Sequence, residues 1–193
     1  MLYFENGEIA AESGDVKVYK MNDTLYLEIG PGHNLWIDST EEFLLRSQIN
    51  SLPKGNCLEL GLGLGLASKY ILNRPEVTHL TTVEINPDII NVYNKMNKVV
   101  DLQHTIILAD STEYLIYANE MFDFIFMDHY DLIDEDTLDT IQLDVKLAKE
   151  HLLPGGIIIG WFDPSTPSDL AEKFFDLFES KRIEDKSWLN KKE

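Results

Sequence analysis

Four short segments of the chain carry residue types that can do chemistry together. The first is Glu59-Leu60-Gly61-Leu62-Gly63-Leu64-Gly65, where alternate glycines allow a tight turn and close backbone approach to a ligand. A dinucleotide fingerprint of the form G-x-G-x-x-G requires a small residue at position 66, and Leu66 stands there. The second is Glu84, nineteen residues beyond Gly65, a distance at which a carboxylate can accept both hydrogen bonds of a ribose diol. The third, Asp110-Ser111, can receive an adenine amino group, cap a helix, or do both. The fourth, Met127-Asp128-His129-Tyr130-Asp131, sets three ionisable groups within four residues after an apolar run.

These segments need a scaffold that brings them to one edge. From residue 56 onward, strand and helix signals alternate. Cys57 to Leu60, Thr78 to Val83, Thr105 to Leu108, Phe122 to Met127 and Ile157 to Ile159 read as buried strands. Between them lie helices over Leu66 to Leu72, after Asn86-Pro87, after Asp110, through Leu138, Ile141, Val145 and Ala148, and from Pro167 to Phe178. Pro154-Gly155-Gly156 is expected to stop the fourth of these helices. Parallel strands need crossover connections, so the expectation is an α/β fold with a doubly wound, mostly parallel Rossmann-like sheet. In such a sheet, ligands sit beyond the carboxyl ends of the strands, where all four segments fall.

Residues 1–38 have a different rhythm, with strands at Val16 to Lys20, Thr24 to Ile29 and Asn34 to Ile37 that read as small β-hairpins. Ser39 and Glu42 form a capping-box pattern for a helix through Phe43, Leu44 and Ile49, so residues 39–193 are expected to form one compact unit.

The 193 residues hold 34 acids against 16 Lys plus Arg, a formal charge of −18. That field repels nucleic-acid phosphates and anionic membrane surfaces, so neither is expected as a partner. The excess is uneven: between Val99 and Val145 there are twelve acids and no Lys or Arg. A negative field at a cleft mouth concentrates cations, which turns the charge toward a cationic acceptor. Cys57, the single cysteine, cannot form an internal disulfide and sits in a strand, so it reads as a small buried hydrophobe in a reducing, cytoplasmic setting. The start of the chain lacks a secretory signal pattern, and no apolar run is long enough to span a bilayer. His33, His79, His104 and His151 are scattered without ligand spacing, and no metal site is expected.

The ordered series Glu59-Leu-Gly-Leu-Gly-Leu-Gly, Val83-Glu-Ile-Asn-Pro, Ala109-Asp-Ser and Phe122-Asp-Phe-Ile-Phe-Met-Asp resembles the motifs of class I S-adenosylmethionine-dependent methyltransferases, from about residue 56 to 162. The resemblance implies that Glu59, Gly61, Gly63 and Gly65 surround the methionine part of the cofactor. It further implies Glu84 at the ribose and Asp110 near the adenine, with Ile85 and Ser111 beside them among the cofactor-binding residues. Two branches compete. The hairpins, Asp38-Ser-Thr-Glu-Glu-Phe, and the acids Asp123, Asp128 and Asp131 are similar to spermidine synthases, where the last two acids serve amine binding and deprotonation. Leu64 and Trp36, however, stand where that family has an acid and a cofactor-binding glutamine. Leu58-Glu-Leu-Gly, Glu84-Ile-Asn-Pro-Asp and Met127-Asp-His resemble catechol O-methyltransferases, whose magnesium ligands after the fifth strand are absent from Gly160-Trp161-Phe162, with Asp163 following.

The expected function is methyl transfer from S-adenosyl-L-methionine to a small molecule, an amine among the candidates. Asp128 and Asp131 are the expected catalytic groups, and His129, Tyr130 and Trp161 border the acceptor. The alternatives are aminopropyl transfer from the decarboxylated cofactor and a non-catalytic cofactor-binding subunit. About thirteen residues follow the last helix, where the class I core normally adds two strands, so an uncovered edge points to a homodimer.

Overall fold

A computed structural model describes residues 8–22, 24–30, 35–37, 49, 52–97, 102–130, 132–162 and 166–178, with backbone alone for 35–37. The helix expected from Ser39, the tail from Lys181, and the candidates Asp131 and Asp163 lie outside the described residues. Among the described residues, nine strands form two sheets. Strands β1 (Glu8–Ser13), β2 (Val16–Met21), β3 (Thr24–Ile29) and β4 (Leu35–Ile37) make an antiparallel sheet in chain order.

The second sheet is parallel throughout and holds β5 (Gly55–Leu60), β6 (Val77–Glu84), β7 (His104–Leu108), β8 (Phe122–Met127) and β9 (Leu152–Gly160) in the order β7-β6-β5-β8-β9. The order reverses between β5 and β8, whose carboxyl ends therefore diverge into loops on opposite faces. Helices α1 (Leu66–Leu72), α2 (Pro87–Met96), α3 (Ser111–Tyr117), α4 (Glu135–Glu150) and α5 (Ser168–Phe178) complete the described elements.

Period-2 alternation sorts the central strands between two cores. Leu58, Leu60, Ile125 and Met127 pack with α3, α4 and α5, while Cys57, Phe124 and Phe126 face α1. All seven are fully buried, as strands covered on both faces must be. A third cluster joins Val16, Val18 and Leu27 of the antiparallel sheet to Ile89 and Val92 of α2. Ser13 Oγ donates to Asp88 Oδ1 at 2.7 Å across the same junction.

Beyond shifts of one or two residues at element ends, two features differ from the sequence expectation. Strand β1 was not anticipated, because Glu8-Ile-Ala-Ala-Glu-Ser alternates poorly and exposes most of its length. Helix α4 ends at Glu150 with His151 as its C-cap, before Pro154-Gly155-Gly156 is reached. The Pro-Gly-Gly segment instead lies inside β9, where pairing jumps from Phe122↔Leu152 to Phe124↔Ile157. One residue on β8 thus stands opposite four on β9, an irregularity that Gly155 accommodates at φ +83°.

Candidate functional site

The glycine turn after β5 is built by backbone bonds at its two ends. Gly61 N–H donates to Val83 O at 2.8 Å, and Gly65 N–H closes the turn onto Leu62 O at 2.7 Å. Gly61 adopts φ +94°, and a Cβ there would stand 2.1 Å from the backbone oxygen of Asp128. The ends of β5 and β8 touch at this point, which no larger residue permits. Gly63, at φ +50°, has nothing within 4 Å of a would-be Cβ, so its open side is free for a ligand. Gly65 is the N-cap of α1, with the Tyr93 ring where a side chain would be.

Glu84 ends β6 and is 6% exposed. Its Oε2 accepts Leu62 N–H at 3.0 Å and its Oε1 accepts Asn86 N–H at 2.8 Å. Each carboxylate oxygen keeps a second lone pair, so two acceptor positions stay available in a fixed orientation. Asn86 in turn caps α2, its Oδ1 accepting Asp88 N–H at 2.9 Å, with Pro87 at the first helical position. At the head of α3, Asp110 Oδ1 accepts Glu113 N–H at 2.9 Å. Capping is therefore one role of Asp110.

Asp128 follows β8, with its N–H donated to Leu60 O at 2.7 Å. His129 Nε2 lies 2.8 Å from Asp144 Oδ2. Tyr130 donates its hydroxyl to Trp161 O at 2.7 Å, and burial, with the charge of Asp128 behind it, pushes the phenol well above its ordinary pKa. Tyr130 therefore stays a proton donor locked to the backbone.

Together these groups border one cleft of about 370 Å³ at the carboxyl edge of the parallel sheet. Of the expected site residues it collects Gly61, Gly63, Glu84, Ile85, Asp110, Ser111, Asp128, His129 and Tyr130. Leu27 and Ile29 of the antiparallel sheet close one side. Among the described residues, the lining carries the carboxylates of Glu84, Asp110 and Asp128 and no Lys or Arg.

Three expected residues stand elsewhere. Glu59 is fully buried beneath the glycine turn, its Oε2 accepting the hydroxyls of Ser68 and, at 2.6 Å, Thr82. Burial pushes its carboxyl up to about 7, and the Ser68 and Thr82 bonds oppose that rise. Its Oε1 has no hydrogen-bond partner. Trp161 packs its indole against the cluster containing Phe124 and Phe126, and its backbone serves Tyr130 and Met127. Gly65 also lies outside the lining, as the hinge behind the loop.

Cys57 is buried, and desolvation pushes its thiol up to about 12, which leaves it inert. His151 ties α3 to the loop before β8 through Leu115 O and Glu120 O, a structural task. Among the described residues, no cluster of His, Cys, Asp and Glu is arranged to hold a metal ion, and no helix is long and apolar enough to cross a membrane.

No family model matches the chain. Polyamine aminopropyltransferase 2 of Ralstonia nicotianae is 35% identical over 82 residues, spanning 38% of this chain and 16% of that relative. The crystal structure of spermidine synthase from Thermotoga maritima superposes with a TM-score of 0.70 at 16% identity, covering 88% of this chain and 62% of that one. The N-methyltransferase NodS from Bradyrhizobium japonicum superposes with a TM-score of 0.54 at 18% identity, covering 72% of this chain and 81% of that one. This chain therefore spans less than two thirds of both the curated relative and the spermidine synthase. The fold is the Rossmann-like fold of the class I methyltransferases, with a spermidine synthase-like antiparallel sheet in front of it.

Proposed function

We infer that the protein is a transferase that binds S-adenosyl-L-methionine and passes its methyl group to a small amine. The observation that carries this reading is the cleft itself: three carboxylates on its lining, no Lys or Arg among the described lining residues, and an open glycine turn at its floor. A sulfonium nucleoside and a protonated amine are both cations, and a wall of this sign draws them in.

The residues present fit such a cofactor. Glu84 offers the two oriented lone pairs that a ribose diol requires. Asp110 Oδ1 accepts the helix amide, which leaves Oδ2 for an adenine amino group, and Ile85, 65% exposed, gives an apolar surface for the base. The turn around Gly63 allows the amino-acid end to approach the backbone closely. When bound, the sulfonium supplies an electrophilic carbon joined to a good thioether leaving group.

The chain's own task is positioning, because such a displacement needs in-line alignment more than covalent help. Asp128 holds the ammonium of the acceptor and receives its proton as the nitrogen lone pair becomes free. Tyr130, fixed to Trp161 O, forms a rigid wall beside it. Asp131, next in the chain, is proposed as the second acid of this pair.

A second reading, aminopropyl transfer from decarboxylated S-adenosylmethionine, is favoured by Leu27 and Ile29 of the antiparallel sheet bordering the cleft, and by the partial likeness to a polyamine aminopropyltransferase. Leu64 weighs the other way, because that cofactor's free amine calls for an acid in the glycine turn. Titration calorimetry with both cofactor forms separates the two: the first reading expects tighter binding of S-adenosyl-L-methionine, and the reverse preference would overturn it. Methyl transfer is then sought across amine, phenol and carboxylate panels, with amine turnover expected and falling as salt rises. Tight cofactor binding without turnover on any panel would leave a non-catalytic binding protein.

A further inference from the structure

Asp144 lies at the middle of α4 on the face that also carries Ile141, Val145 and Ala148 into the core, and it is fully buried. A carboxylate there costs stability that an apolar residue of similar size would not. Folding alone gives no reason for it. Its two oxygens are engaged in different directions: Oδ1 accepts the Thr112 hydroxyl at 2.6 Å, and Oδ2 lies 2.8 Å from His129 Nε2. Among the described residues, no Lys or Arg forms an ion pair with it.

One of those partners, His129, lines the cleft, and the other, Thr112, follows two lining residues. Thr112 is the second residue of α3, directly after Asp110 and Ser111. His129 follows Asp128 in the loop after β8. One buried carboxylate thus joins the α3 N-terminus to the acceptor-side loop. It also sets the proton arrangement of the ring. A carboxylate only accepts, so the proton shared with Oδ2 must sit on His129 Nε2. In the neutral ring Nδ1 is then the acceptor, and Nδ1 is buried without a partner.

We propose that Asp144 is a positioning residue for group transfer, holding the His129 ring in the cleft wall as the Nε2–H tautomer and fixing the Asp128 loop against α3. The consequence for the reaction rests on the transferase reading above; the tautomer and the bridge do not. In-line transfer tolerates little displacement, so loosening the loop that carries Asp128 lowers turnover. Glu84, Ile85 and the glycine turn lie on other elements, and Asp110 at the head of α3 is held separately by the Glu113 N–H, so cofactor affinity should be largely spared.

The test uses the full chain. Nitrogen-15 NMR of the histidine side chains, assigned with His129→Gln, is expected to show His129 protonated at Nε2 and bare at Nδ1. In Asp144→Asn that preference is lost. Calorimetry with S-adenosyl-L-methionine should give a Kd within about threefold of wild type, while kcat for methylation of the best amine falls about 10- to 100-fold. Thr112→Val, which removes one bond and keeps the volume, should lower kcat by a few-fold and serves if Asp144→Asn does not fold. An Nδ1–H tautomer in the wild type overturns the proposal, as does an Asp144→Asn protein that loses the tautomer and keeps its kcat. Failure of the wild type to bind either cofactor form instead sinks the transferase reading, and the NMR result still decides the role of Asp144.

Discussion

The carboxylate of Glu84 reaches across the head of the sheet to the amide of Leu62, 3.0 Å away and twenty-two residues earlier in the chain. The candidate ribose-binding acid and the glycine turn are thereby one unit. Glu84→Ala removes the two oriented acceptors and the tie to Leu62 together. Hydrogen bonds to a charged group are worth about 1.5–3 kcal/mol, so S-adenosyl-L-methionine should bind about 10- to 100-fold more weakly. Glu84→Gln fares little better, because its amide turns an NH2 toward either Leu62 N–H or Asn86 N–H. Calorimetry measures both, and wild-type affinity in either variant would remove Glu84 from the site.

Two glycines of the same turn should respond differently to one added methyl group. In Gly61→Ala the Cβ meets the Asp128 backbone oxygen at 2.1 Å, and backbone cannot step aside. Overpacking and the left-handed φ of +94° together should cost roughly 3 kcal/mol or more of stability. In Gly63→Ala the methyl enters open space, so only the left-handed strain of about 1–2 kcal/mol applies. The Gly63 variant should fold and lose cofactor affinity. Urea denaturation and calorimetry on the pair check this, and equal stability losses would contradict the geometry.

Much of the positioning scaffold was legible from residue types alone. Leu66–Leu72 and Phe122–Met127 have the bounds read from sequence, because apolar periodicity and the flanking glycines and polar residues agree there. Asn86 caps and Pro87 opens α2 for the reasons these residues favour such positions. Local patterns did not reveal where long-range partners turn a side chain. Glu59 stands near the end of its strand beside the glycine turn, where an acid could face a ligand, yet Ser68 and Thr82 draw it beneath the turn. Trp161 follows β9 but is claimed by the core on the α1 face. Asp144 did leave a signal, a charged residue three positions after Ile141 on the apolar stripe of α4, although its partners Thr112 and His129 are 32 and 15 residues away.

Beside the apolar cluster that joins the antiparallel sheet to α2, Asp88 at the start of that helix ties the two by accepting from Ser13. Asp88 also sits in the first turn of that helix, where a negative charge is favourable. Asp88→Ala should cost about 1–2 kcal/mol, felt locally. Hydrogen exchange should quicken about tenfold or more in β1 and β2 and stay slow in β5 and β8. Uniform acceleration across both sheets would show that the junction is not a separate unit of opening.

Glu59 makes stability depend on pH in a direction opposite to a salt-bridged acid. Burial lifts its carboxyl from 4.5 to about 7, so the folded protein holds this proton more tightly than the unfolded chain does. The contribution is fully present below about 4.5 and is lost as pH rises through about 7. A shift of that size corresponds to on the order of 3 kcal/mol. Glu59→Gln is neutral at every pH and keeps an oxygen for the Ser68 and Thr82 hydroxyls. Its NH2 then occupies the place of Oε1, which has no partner to lose. The stability of Glu59→Gln relative to wild type should therefore rise by roughly 2–3 kcal/mol between pH 5 and pH 8. Taking the difference between the two proteins cancels the titration of the other acids, provided their surroundings are unchanged. Urea denaturation at the two pH values gives the number, and parallel pH profiles would mean that Glu59 stays ionised in the core.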